Sequence, residues 1–105
     1  MGAVYQGLES VLFGECITDP QTGKMLTYNW ETYRPLTMLD IRLEPIMVEM
    51  HGVDPAHPFG AIACGEGAMN PVCATCGNAI YNALGVRLKS TPFSPDKILK
   101  ALGKL

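Results

Sequence analysis

Glu66 stands between Gly65 and Gly67, directly after Cys64 and shortly before Cys73 and Cys76. This one stretch therefore offers two kinds of chemistry, carboxylate and thiol. A carboxylate held against an apolar wall binds a proton more tightly than one in water, which suits a general base. Flanking glycines let a backbone come close to a ligand. Against that stands the plain alternative of a solvent-facing loop acid. Cys73-Ala-Thr-Cys76 has the spacing of a zinc half-site or a redox pair. A structural zinc site needs four ligands, and Cys16, Cys64, His51 and His57 form no second pair as well defined as the first. On a helix, residues i and i+3 share a face, so both thiols can instead pack as small apolar side chains, the commoner role for cysteine. His51-x-x-Asp54-x-x-His57 could ligate a metal, but Pro55 and Pro58 deny it a regular geometry, which favours a solvated loop. Tyr5, Tyr28, Trp30 and Tyr33 form either a surface aromatic cluster or a set of amphipathic residues at a core edge.

Elements must position these groups. Val4, Leu8, Val11 and Leu12 recur at helical spacing, so residues 3–13 form a first helix with Gly14 past its end. Gly7 inside it costs about 1 kcal/mol against alanine, which makes sense if another backbone or a ligand must come close. ECIT and MLTYNW flank DPQTGK as the two arms of a hairpin over residues 15–30. The proline-containing run 31–45 crosses in extended form, IMVEM (46–50) and AIAC (61–64) are apolar strand candidates, and residues 51–60 are a Pro/Gly loop. Asn70 as N-cap and Pro71 at the first position start a helix whose buried stripe is Val72, Cys76, Ala79, Ile80 and Ala83, closed by Gly85. VRLKST follows as a short strand, and SPDKILKALG as a last short helix. The order is that of an α+β fold, with helices packed on a short-stranded mixed sheet.

Composition narrows the function. A chain of 105 residues is at most one domain. Charged residues are only 17% of it, below the roughly 25% usual for soluble domains, so part of the exterior is expected to be covered by something else. A net charge of −2 gives no basic stripe for nucleic acid. No stretch nears the ~18 apolar residues of a membrane span, and MGAVYQGLESVLFGE lacks the basic start of a signal peptide. Four cysteines without an exported context read as reduced thiols in the cytoplasm.

Four features, in order, carry a family resemblance. They are Gly2-Ala3-x-x-Gln6-Gly7-Leu8; Asp19-Pro20-x-Thr22-Gly23 with Asn29 to Pro35 and Leu39-Asp40-Ile41; Gly60-Ala61-x-x-x-Gly65-Glu66; and the run from Asn78 to Arg87 with a closing Thr91 to Leu99. Together they resemble the C-terminal segment of the molybdopterin-binding large subunit of the xanthine dehydrogenase and aldehyde oxidase family, the molybdenum hydroxylases. One departure is that Ile62, Ala63 and Cys64 stand where the family usually carries a Lys and a Gly.

The resemblance implies that residues 1–105 are the C-terminal part of a molybdopterin-binding domain, an incomplete piece active only in a complex. It implies oxidation of a heterocycle or aldehyde with oxygen from water, at molybdenum–molybdopterin held mostly by residues outside this chain. Glu66 would be the general base, and Gly65 with Glu66 would lie against the cofactor. No metal ligand is expected from the chain itself. Partners would be the rest of the large subunit and subunits carrying iron–sulfur clusters and, in many members, FAD. The residues alone also leave open a non-catalytic thiol, metal-binding or interaction module.

Overall fold

The computed structural model describes residues 1–44, 46, 56, 57, 59 and 65–105. Three helices organise them: α1 (Gly2–Leu12), α2 (Val72–Leu84) and α3 (Pro95–Ala101), with a short 3-10 turn at Glu66–Ala68 just before α2. α1 packs against both α2 and the Glu66 turn.

The crossing of α1 and α2 explains Gly7. A Cβ there would lie 2.7 Å from Val72 Cγ2, so only a residue without a side chain lets the two helices approach this closely. The core that results is small. Val11, Val72 and Phe93 are buried, with Leu8, Leu12, Cys76, Ile80 and Leu88 packed around them. Phe93 also lies under Gly77 of α2, where a Cβ would sit 3.6 Å from its ring. Its backbone N–H donates to the Val11 carbonyl at 2.6 Å, and the Lys97 ammonium pairs with Glu15 at 3.2 Å. These two links fasten the C-terminal segment to the end of α1.

Capping follows the sequence at one end of α2 and departs from it at the other. Gly85 closes the helix in the left-handed conformation, φ 72°, as its lack of a Cβ permits. At the start, Pro71 takes the N-cap place with no side-chain cap, so the helix begins one residue later than expected and Asn70 lies outside it. The Thr75 hydroxyl instead donates to the Pro71 carbonyl at 2.8 Å. Along the expected stripe, Val72 is buried and Cys76 and Ile80 are half-buried, but Ala79 and Ala83 are exposed.

The expected α+β class, helices on a short-stranded mixed sheet, is corrected. Among the described residues there is no strand and no sheet, only an isolated antiparallel bridge between Thr18 and Met25. The turn of the hairpin is present: the Asp19 amide donates to the Lys24 carbonyl and Leu26 to Ile17, with Gly23 at φ 69°. A ladder does not extend from it. Strands exist only by pairing with neighbours, and a two-stranded hairpin by itself is marginal. VRLKST likewise runs without a partner strand among the described residues. The strand candidates IMVEM (apart from Ile46) and AIAC lie outside the described residues.

The dimensions exceed those of a compact domain of this length. The radius of gyration is 18.1 Å, against about 13 Å for a compact domain of this length. The accessible surface of 8594 Å² exceeds by roughly 2,800 Å² that of a compact monomer of 11.4 kDa. Trp30, Met38, Leu39, Ile46 and Phe59 all stand mostly in solvent. Among the described residues no helix is long and apolar enough to cross a membrane.

Candidate functional site

Glu66 opens the 3-10 turn, and its carbonyl accepts the amide of Met69 at 2.8 Å. Gly65 before it is extended, φ −149° and ψ −151°, a conformation open to any residue. Neither Gly65 nor Gly67 is required by crowding inside the chain, since a Cβ at either would meet nothing within 4 Å. The Glu66 side chain is exposed, so the apolar wall expected around it is not formed by the described residues. What the chain does supply is placement. The turn is held between α1 and the start of α2, and the Val72 amide bonds back to the Met69 carbonyl at 3.2 Å. Beside it Val4, Leu8, Leu43, Ala68, Val72 and Cys76 line an apolar cavity of about 320 Å³.

The thiols divide. Cys76 is half-buried and packs against the core, as the packing interpretation expects, while Cys73 is exposed. Burial, and secondarily the neighbouring Cys73, pushes the Cys76 thiol above its ordinary value. Cys16 and His57 are also exposed. No group of three or more His, Cys, Asp and Glu side chains among the described residues could hold a metal. Cys64, His51 and Asp54 lie outside them, as do Ile62 and Ala63.

A second set of polar and aromatic groups escaped the sequence reasoning as a unit. Tyr28, Trp30 and Tyr33 line a cavity of about 290 Å³ together with Glu9 of α1. The neighbouring Glu9 carboxylate, with some burial, raises the Tyr33 phenol above its ordinary value. The aromatics were visible as a cluster, but nothing in the spacing paired them with an acid some twenty positions earlier. Gly14 belongs to the same arrangement, because a Cβ there would come within 2.6 Å of the Tyr33 oxygen. Arg87 was likewise unremarked. Its guanidinium lies 4.1 Å from the centre of the Tyr81 ring and donates to the Asn78 amide oxygen at 2.8 Å.

No protein-family profile matches the chain. It is 29% identical over 103 residues to the aldehyde oxidoreductase molybdenum-binding subunit PaoC of Escherichia coli, covering 97% of this chain and 14% of that protein. Over 98 residues it is 32% identical to a xanthine dehydrogenase molybdenum-binding subunit of Escherichia coli, covering 92% of this chain and 13% of the other. It is also 36% identical over 101 residues to a membrane-bound aldehyde dehydrogenase (pyrroloquinoline-quinone) of Gluconacetobacter polyoxogenes, covering 96% and 12% respectively. Among solved structures, quinoline 2-oxidoreductase from Pseudomonas putida 86 superposes with a TM-score of 0.83 at 24% identity, over 98% of this chain and 13% of that one. That likeness establishes a shared fold. Over nearly its whole length the chain is thus a homologue of molybdenum-binding subunits of aldehyde oxidoreductase and xanthine dehydrogenase, and it spans 13–14% of their length.

Proposed function

We propose that residues 1–105 are the C-terminal part of the molybdopterin-binding domain of a molybdenum hydroxylase, acting in the cytoplasm and only within a larger complex. The observation that carries this is the outward-facing Gly65-Glu66-Gly67 turn on a chain similar throughout to molybdenum-binding subunits. The relative named for pyrroloquinoline quinone carries a different cofactor in its name, so the molybdenum assignment rests on the other two.

The turn fits a large group approaching from outside. Both glycines border open space and Glu66 is exposed, while the described residues provide no ligand set of their own. Gly65 and Glu66 would lie against molybdenum–molybdopterin, and the contacts that hold it would come from the rest of the polypeptide. When bound, that group supplies the activation of water and the two-electron acceptor for hydroxylating a heterocycle or an aldehyde. The part of this chain is to place a base. A carboxylate oxygen of Glu66 receives the proton released as the water-derived oxygen bonds to the substrate carbon. In the assembled complex the rest of the polypeptide would close the site over Glu66 and exclude bulk water. α1 packs against the turn, so the backbone that carries Glu66 would be set before substrate arrives. Electrons would leave through iron–sulfur clusters and, in an FAD-carrying assembly, flavin on partner subunits.

The test is Glu66→Gln in the assembled complex. Turnover should fall by about 10²–10⁴-fold, the usual contribution of a positioned acid–base group, with molybdenum content unchanged. Wild-type turnover in that variant, at full metal loading, would overturn the assignment.

A further inference from the structure

The aromatic groove beside α1 plays no part in the proposed chemistry, yet its composition is specific. Three rings, Tyr28, Trp30 and Tyr33, share it with one carboxylate, Glu9. Trp30 is 86% exposed and Tyr28 69%, so their faces are open to a partner. An aromatic face carries the negative side of the ring quadrupole, and a carboxylate adds full charge, so the groove is negative and apolar at once. A carboxylate has about four acceptor sites. The ion pairs among the described residues, Arg34–Asp40, Arg42–Glu44 and Lys97–Glu15, leave Glu9 without a cation.

The ligand chemistry that matches both properties is a guanidinium. It is flat and weakly hydrated, stacks on aromatic faces and forks its donors onto a carboxylate, whereas an ammonium keeps its water more firmly. Its source is polypeptide. The chain spans only 13–14% of the molybdenum-binding subunits it matches and exposes far more surface than a complete domain would. We propose that this groove seats an arginine side chain of the remaining molybdenum-binding polypeptide, stacked on Trp30 and Tyr28 and hydrogen-bonded to Glu9. The inference rests on the assignment of the chain as one piece of such a subunit.

Trp30 is the only tryptophan, so its fluorescence reports the groove directly in the full chain. Titration with N-acetylargininamide should change its emission saturably. The neutral isostere N-acetylcitrullinamide, or Glu9→Gln with the arginine probe, should raise half-saturation by about fivefold or more, as loss of one charge pair on an aromatic platform predicts. Superimposable curves for the two probes, or no saturable change with either, overturn the proposal. In the assembled complex, Glu9→Gln and Trp30→Ala should each weaken co-purification of the molybdenum-binding polypeptide, with Lys104→Ala as an unaffected control. Should the wild-type chain bind that polypeptide and both variants bind it equally well, the groove is not the contact, although the subunit assignment stands. A wild-type chain that binds no such polypeptide overturns the subunit assignment, and the named occupant with it, whatever the probe titration shows.

Discussion

Cys73 and Cys76 share a helix and a motif but not an environment. Cys76 is pressed against the core, where burial pushes its thiol up, whereas Cys73 faces solvent. The thiolate is the reactive form, so at a given pH Cys76 offers less of it and offers it less accessibly. Iodoacetamide near neutral pH should therefore label Cys16 and Cys73 several times faster than Cys76. Denaturant should erase the difference, which peptide mass mapping over time would show. The two thiols should also be dispensable for catalysis. Cys73→Ala combined with Cys76→Ala is expected to keep the molybdenum content and turnover of the complex, and loss of either would give the motif a chemical role. At this scale the sequence was informative about kind more than about surroundings. Glu66 stood out because glycines flank it, but whether anything apolar covers an acid depends on neighbours brought in from elsewhere. Here the described neighbours leave it exposed.

The α1–α2 crossing is set by one missing side chain. Gly7→Ala gains about 1 kcal/mol of helix propensity but drives a Cβ to within 2.7 Å of Val72 Cγ2. Overpacking of that kind costs about 1–3 kcal/mol, and because the Val72 Cβ itself would also lie at 3.0 Å, rotating that stiff side chain does not clear the clash, so a net loss of stability is expected. Denaturation of the purified chain should show it. Adding Val72→Ala should make the double variant less unstable than the two single losses combined. The hairpin turn answers to pH instead. Asp19 accepts the Thr22 hydroxyl at 2.7 Å and the Gln21 amide at 2.9 Å, and these bonds, the hydroxyl first, hold its carboxyl below the ordinary range. A folded pKa below the unfolded one stabilises above the unfolded value, and the stabilisation is lost as pH falls through the folded value. The Gln21 and Thr22 amide resonances should therefore shift only in strongly acid solution, and Asp19→Asn should abolish that titration. The same sign applies to Asp40, whose carboxylate accepts the Thr37 hydroxyl and amide. Local signals such as the 3.6-residue spacing in α1, Pro95 at a helix start and Gly85 at a helix end were readable from sequence, because each acts within a turn. The sheet expected from the sequence is absent among the described residues, because ECIT, MLTYNW and VRLKST have the composition of strands but find no partner strands there.

Across the whole molecule the exposed surface becomes a quantity. The surplus of roughly 2,800 Å² over a compact monomer is of the order that obligate complexes bury, and it is studded with Trp30, Leu39, Ile46 and Phe59. The free chain should bind an apolar reporter dye strongly, and under the proposed assignment assembly with a molybdenum-binding polypeptide should abolish that signal. A free chain that bound no dye would contradict the exposed surface described here. Low charge was the sequence's trace of this exposed surface: 17% charged residues cannot clothe so extended a chain in polar groups.

The core of Val11, Val72 and Phe93 has a further consequence, in the order of events during folding. Val11 comes from the first helix, Val72 from the second and Phe93 from the segment ahead of the third, so its members meet across most of the polypeptide. Bringing such distant positions together incurs the entropy of closing long loops before any burial rewards it, which slows folding. During synthesis, the first helix leaves the ribosome with neither of its packing partners yet made. Its apolar face stays uncovered until Val72 and then Phe93 have been made, so this stretch would benefit most from a chaperone's or a partner polypeptide's early protection.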